Sequence, residues 1–378
     1  MALTIRYDDE ILRHSFYANL LEPYLLQGNR ENTRLDVLIA ARAVAACTPD
    51  AVNIPRSADG KPVFKLEGLA RANGFVGHDA HDALGDVHAT MHIAKVIMEN
   101  APSVWSTVSN LRSKQYVAGL LQAGEPLINV GWDYQGQRPL FRAVLPIVCD
   151  AENSNEWLCV GLDVDIGRLK SLDADSLEGQ FNSDDGRPAI VRLKANAMPL
   201  LMTTKDAAAL NVSMKFDPFT IIALKADSAL AGRLRAASNQ HRSRLLQPTQ
   251  VWEQIYSGGF FPTYKDKPVI QRFHRALPHE KWEMVPALTD QRAREMARWL
   301  IGSEWPEVLS PAERRLIEDE FRDHLMQDDA KWTTVPSALA RIKELCSGAN
   351  VKEAAILYEY EGFLLNYHKN ILGRSATS

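Results

Sequence analysis

Within the nine residues His78-Asp79-Ala80-His81-Asp82-Ala83-Leu84-Gly85-Asp86 the chain places two histidines and three aspartates. The run leads into a segment where Leu84, Val87, Met91, Ala94 and Ile97 recur at steps of three or four, the spacing of a buried helical stripe. On that reading Asp86 lies at the edge of the stripe, and His81 lies in the loop just before the helix. A carboxylate fixed on a helix with a histidine ahead of it suits work on a metal-bound water. The same residues also make an acid-rich helix N-terminus, which the helix dipole favours without any metal. The motif by itself leaves the two readings level.

The elements that must carry these residues change along the chain. Residues 1–100 read as mostly helical. Asp8-Asp9-Glu10 opens a segment with Ile11, Leu12, Phe16, Leu20 and Leu21 on one stripe, and Pro23 and Gly28 end it. Thr33 precedes an alanine-rich helix from Leu35 to Cys47, and Leu66 to Gly74 reads as a short helix with Gly74 as its C-terminal cap. Only Ala2–Ile5 hints at a strand there. Pro102 then breaks the chain, and β-type runs follow at Leu127–Val130, Leu140–Cys149, Trp157–Asp165 and Ala189–Lys194. Short strands at this spacing predict a small barrel or an open antiparallel sheet. Lys205–Arg244 turns helical and basic, ending in Arg233, Arg235, Arg242 and Arg244, read either as a solvated helix face or as a DNA contact. Residues 249–378 read as all-helical.

Composition sets the outer bounds. The 378 residues are 46% hydrophobic and 24% charged, with net charge −4, so nucleic-acid binding has to come from local patches. Cys47, Cys149, Cys159 and Cys346 are scattered without a CxxC, as in a reduced cytosolic protein rather than a disulfide or zinc framework. No apolar run approaches the roughly 20 residues of a membrane helix, and Met1 to Arg6 does not read as a signal peptide. A soluble cytoplasmic monomer is expected.

His81-x-Ala83-x-x-Asp86 resembles the last motif of the DEDD exonucleases that use histidine as general base. Arg6-Tyr7-Asp8-Asp9-Glu10, Tyr17-Ala-Asn, Pro23-Tyr24, Thr33-Arg34-Leu35-Asp36, Asn53-Ile-Pro55, Phe64-Lys65-Leu66-Glu67 and Ala72-Asn73-Gly74 occur in the order and spacing of bacterial exodeoxyribonuclease I. Asp86-Val87-x-Ala89-Thr90, Lys205-Asp-Ala to Leu210 and Tyr256-x-Gly258-x-Phe260-Phe261 are similar too. The resemblance is close over residues 4–98 and thinner beyond.

That resemblance implies an α+β multidomain chain. Residues 1–101 would be a partial ribonuclease H-like exonuclease domain, truncated at its N-terminus. Residues 102–248 would be an SH3-like β-rich domain and 249–378 an all-helical C-terminal domain. It implies release of mononucleotides from the 3′ end of single-stranded DNA, in repair or recombination, with two Mg²⁺ ions about 3.5–4 Å apart. Asp8 and Asp86 match metal ligands of the family, and His81 matches its base. Lys65 matches a cation facing the substrate, while Arg13, Tyr24, Arg42 and Lys114 match DNA-facing positions, with Tyr24 placed to stack on a base. The bland readings are packing for Tyr24, ordinary surface roles for Arg13 and Arg42, and metal-free helix acids for Asp9 and Glu10. The C-terminal tail of single-strand DNA-binding protein is an expected partner.

The family's first motif, an Asp-x-Glu pair on the first strand of a mixed sheet, has no counterpart in these residues; Asp163-Val164-Asp165 reads as a strand end. Two of four metal carboxylates are therefore not found, and the chain is expected to be inactive or nearly so alone. Its first domain is expected to expose apolar faces and to be unstable or to need a partner. A late-assigned start, a frameshift or completion in trans would each account for this. Rival readings are an HD-type metal phosphohydrolase built on His78, His81-Asp82 and His14, and a zinc pair from His88 and His92. A non-catalytic module that binds single-stranded DNA or a partner is the remaining alternative.

Overall fold

The computed structural model describes residues 5–25, 33–76, 83–133, 138–182, 187–245, 248, 250–256, 265–328 and 330–373. It divides into two compact units, Met1–Arg13 with Tyr24–Gln247 and His14–Pro23 with Pro248–Ser378.

In the first unit helices come first: α1 (Ile5–Ala18, counted with this unit up to Arg13), α2 (Val37–Cys47), α3 (Leu66–Ala72), α4 (Ala83–Asn100), α5 (Pro102–Leu111) and α6 (Lys114–Gln122). Ile5 is helical, so the hint of a strand over Ala2–Ile5 fails at its described end. Asp36, not Thr33, caps α2; its carboxylate accepts from the Leu38 and Ile39 amides at 2.9 and 3.4 Å, satisfying two orphan donors of the first turn. Pro102 does not interrupt the helical stretch for long. It occupies the first turn of α5, where its missing N–H costs nothing. Gly74, with φ of +83°, follows the α3 cap Asn73 in the left-handed conformation that glycine adopts freely.

The phase of α4 differs from the sequence expectation. Its buried stripe is Asp86, Ala89, Ile93 and Ile97, whereas Leu84 and Met91 are 62% and 65% exposed. Leu84, Met91 and Met98 form a second apolar row on the solvent side, so spacing alone could not say which row faces the core. Ile11 and Leu12 of α1 are exposed as well.

The strands β1 (Leu127–Asp133), β2 (Arg138–Cys149), β3 (Glu156–Gly161), β4 (Ile190–Lys194) and β5 (Leu201–Thr203) form one antiparallel sheet in the order β4-β3-β2-β1-β5. β3 ends at Gly161 rather than running on to Asp165. There the buried Arg142 guanidinium crosses to Asp163 at 2.6 Å, and a Cβ on residue 161 would overlap it. Asp165 instead caps the next helix by accepting from the Arg168 amide. That helix, α7 (Ile166–Ser171), and α8 (Ala174–Glu178) link β3 to β4; after β5 the expected basic helix is three, α9 (Thr204–Ala209), α10 (Pro218–Lys225) and α11 (Leu230–Arg244). One continuous apolar core joins α2–α6 to the sheet and to α11.

The second unit gathers α12 (Asp266–Arg275), α13 (Pro278–Met284), α14 (Gln291–Glu304), α15 (Pro311–Met326), α16 (Val335–Cys346) and α17 (Val351–Gly373). Phe273, Ala297 and Ile301 centre its core, where Tyr17 is fully buried, its hydroxyl pushed up to about 12 by burial. Among the described residues no helix is long and apolar enough to cross a membrane.

Candidate functional site

Asp86 stands in the first turn of α4, where the helix N-terminus favours a carboxylate, and is only 5% exposed. His78 to Asp82, including the expected base His81, lie outside the described residues. Asp8 stands in the first turn of α1 and is half-buried. Its neighbour Asp9 is buried and holds two arginines, Arg13 at 2.6 Å and Arg34. Arg13 also meets Glu10 at 3.0 Å and lies over the Tyr24 ring, 4.8 Å from its centroid. Burial lowers the Arg34 pKa while the Asp9 charge opposes that shift.

A second grouping surrounds Arg42. Its guanidinium lies 5.9 Å from the Phe64 centroid and 5.6 Å from that of Trp132 on β1, and the two rings meet edge to face at 5.1 Å. Lys65, next to Phe64, is exposed at the N-terminus of α3. Lys114 is exposed at the first position of α6. Arg13 and Tyr24 thus meet each other, Arg42 lies against one aromatic pair, Lys65 follows Phe64 of that pair in the chain, and Lys114 stands on a separate helix.

The rival constellations have other employment. His92 Nε2 lies 2.9 Å from the Asn73 carbonyl oxygen, with its ring against Phe75. His14 lies in the second unit, with Nδ1 3.3 Å from the Trp252 carbonyl oxygen. The arginines of α11 are internal staples. Arg233 bonds Asp227 and two carbonyls, Arg235 bonds the Cys149 carbonyl, Arg242 bonds Asp150 at 2.7 Å, and Arg244 bonds Glu178. Each cation therefore has a partner inside its own unit, which explains a basic helix end in an acidic chain.

A family model described as Exonuclease I C-terminal domain matches residues 249–368. Exodeoxyribonuclease I of Haemophilus influenzae is 28% identical over 94% of this chain and 77% of its own length. The Escherichia coli protein is 34% identical over 52% of this chain and 43% of its own. An exonuclease I from Methylocaldum szegediense superposes with TM-score 0.80 at 26% identity, covering 97% of this chain and 79% of that one. The chain is thus similar to exodeoxyribonuclease I over most of its length. E. coli exonuclease I solved with a dA16 oligonucleotide superposes with TM-score 0.76 at 25% identity, over 97% and 78% of the two chains.

Exodeoxyribonuclease I enzymes are metal-dependent nucleases, which puts a test to the residues present. Among the described residues no group of three or more His, Cys, Asp or Glu side chains is placed to hold a metal ion. Asp8 and Asp86 are suitable hard oxygen donors, but the described residues do not by themselves compose a metal centre. Arg34 and Trp132 were not expected to belong to these groupings. Arg34 lies 25 residues from Asp9, and no local pattern joins them. Trp132 lies two residues beyond the expected strand Leu127–Val130, and the observed β1 runs on to include it.

Proposed function

We propose that the chain acts in 3′-to-5′ exonucleolytic removal of nucleotides from single-stranded DNA. It would supply the strand-binding surfaces and part of the catalytic wall. The observation that carries this is the burial of Asp86 on the core stripe of α4 in a chain similar to exodeoxyribonuclease I over 94% of its residues. A carboxylate held in place at a helix start is a hard oxygen donor of the kind Mg²⁺ takes. Asp86 and Asp8 are read as ligands of an Mg²⁺ pair, and His81 as the base that accepts a proton from the attacking water. The remaining carboxylates are not supplied by any group that the described residues bring together. Lys65, Arg42 and Lys114 would face the DNA backbone. Arg13, held by Asp9 and Glu10, would fix Tyr24 as a stacking surface rather than reach far into solvent.

The β-rich part is read as SH3-like, and the boundaries 1–101, 102–248 and 249–378 as functional divisions. An exonuclease I structure is described as a complex with the SSB C-terminal peptide. That tail is proposed as a partner here, alongside a cytoplasmic, monomeric state.

The experiment is a release assay with 3′-labelled single-stranded DNA and Mg²⁺. The 378-residue chain is expected to release mononucleotides at the buffer rate. A fusion carrying the part of the Haemophilus relative that lies outside the match should release them from the 3′ end. Robust release by the chain alone would overturn the divided-site reading, and a silent fusion would count against the exonuclease reading itself.

A further inference from the structure

Asn73 closes α3 and is followed directly by Gly74. Glycine carries no Cβ, so its amide nitrogen can reach a preceding asparagine side chain without steric hindrance. In an open chain that nitrogen loses its proton to base and attacks Asn73 Cγ. The N–Cγ bond forms, the Cγ–Nδ2 bond breaks, and the side-chain nitrogen leaves as ammonia. Water then opens the cyclic imide at either carbonyl, giving aspartate or its β-linked isomer. One water is consumed and one ammonia released, with no oxidant or cofactor.

The fold holds every participant of this reaction. The Gly74 N–H donates to the Arg71 carbonyl at 3.1 Å, which shields the proton that base must remove. Asn73 Nδ2, the leaving nitrogen, donates to the Asn53 and Leu69 carbonyls at 2.8 Å each. Asn73 Oδ1 accepts from the Asn53 amide at 3.0 Å, and the Asn73 carbonyl accepts from His92 Nε2 at 2.9 Å. The side chain clasps the loop at Asn53 to the end of α3, and the main chain ties both to α4. Asparagine fits because one end of its amide accepts while the other donates. An aspartate keeps the bond to the Asn53 amide but turns its second oxygen towards two carbonyls that can offer it no proton. The β-linked isomer also inserts an extra backbone carbon ahead of Gly74.

We propose that Asn73–Gly74 is a site of spontaneous amide-to-acid modification, held closed by the fold, whose conversion unfastens the clasp between α3, α4 and the loop at Asn53. The modification stands apart from the nuclease reading, since it needs neither DNA nor metal. As the chain ages, the helix that carries Asp86 loses one of its ties irreversibly.

The test is peptide mapping by mass spectrometry of the full chain kept in mildly alkaline buffer, either native or unfolded in guanidinium. Conversion at Asn73 is expected to run at least about tenfold slower in the native chain, because it waits for local opening. His92→Ala frees the Asn73 carbonyl and is expected to speed native conversion about fivefold, with the unfolded rate unchanged. Asn53→Ala removes only an exposed bond to the Ala72 carbonyl and should act in the same direction, a second arm if His92→Ala fails to fold. Asn73→Asp, one of the two products, is expected to speed hydrogen exchange of the α3 amides on the order of tenfold. Equal native and unfolded rates, or no conversion in either, would overturn the site. Native rates unchanged in both variants would overturn the clasp as what holds it closed. Exchange in Asn73→Asp matching that of the unaltered chain would overturn the unfastening.

Discussion

Asp86→Asn is expected to abolish metal-dependent nucleotide release in the active fusion, by on the order of 10³-fold or about 4 kcal/mol of transition-state stabilisation. The change keeps the size and burial of the side chain on α4 and removes only its charge. The fold should therefore persist, which circular dichroism and unchanged dT16 binding would check. Asp82→Asn should cost far less, within about tenfold, as expected for a group that only orients others. The contrast separates the exonuclease reading from the HD-type reading, in which Asp82 is the metal ligand and Asp86 a dispensable helix acid. Equal losses from the two changes, or a larger loss from Asp82→Asn, would contradict the role given to α4.

The largest stability effect is expected in the second unit. Asp266, at the start of α12, is 0% exposed. Its carboxylate accepts from the Thr289 amide at 2.6 Å, the Thr289 hydroxyl at 2.8 Å and the Asp290 amide at 3.1 Å. Asp290 in turn caps α14 through the Arg292 amide and pairs with the Arg292 side chain at 2.7 Å. One carboxylate thus fixes the turn that launches α14. Asp266→Ala leaves three donors without this acceptor in a buried place, a loss of about 3 kcal/mol. Urea unfolding followed by tryptophan fluorescence reads it, since five of the eight tryptophans lie in this unit. A change below about 1 kcal/mol would mean that water replaces the carboxylate, and the staple would be discarded.

The helices and strands were readable where a long period or a run of β-branched residues spoke clearly. The strands β1 to β4 lie where alternating apolar residues put them, and α4 ends at Asn100 as expected. The three-residue strand β5 is too short to carry a pattern, and it forms because β1 offers it an edge at Leu127–Asn129. The α4 phase failed for a different reason. Two apolar rows compete on that helix, and the choice is made by what packs against it from α2, α3 and α5. The candidate site divides in the same way. Asp86 and His81 are visible as a motif, and Arg13, Tyr24 and Arg42 through family resemblance. Arg34 against Asp9, and Trp132 against Arg42, join segments far apart in the chain, and only the fold brings them together.

The arginines of α11 carry the complementary lesson. Four cations on one helix look like a nucleic-acid footprint when their partners are distant in sequence. Arg242 reaches Asp150, 92 residues away, and the same carboxylate accepts from Ser238 at 2.5 Å. Charge seen in sequence measures supply, and pairing seen in structure measures what is left for a ligand.

The chain is expected to hold single-stranded DNA independently of catalysis, and binding measured without metal decides it. Labelled dT16 and a 16-base-pair duplex are titrated with the 378-residue chain in EDTA between low and moderate salt. Saturable binding of the single strand is expected, at least about tenfold tighter than the duplex, with log affinity falling linearly in log salt. No saturable binding of dT16, equal affinity for the duplex, or binding indifferent to salt would contradict it.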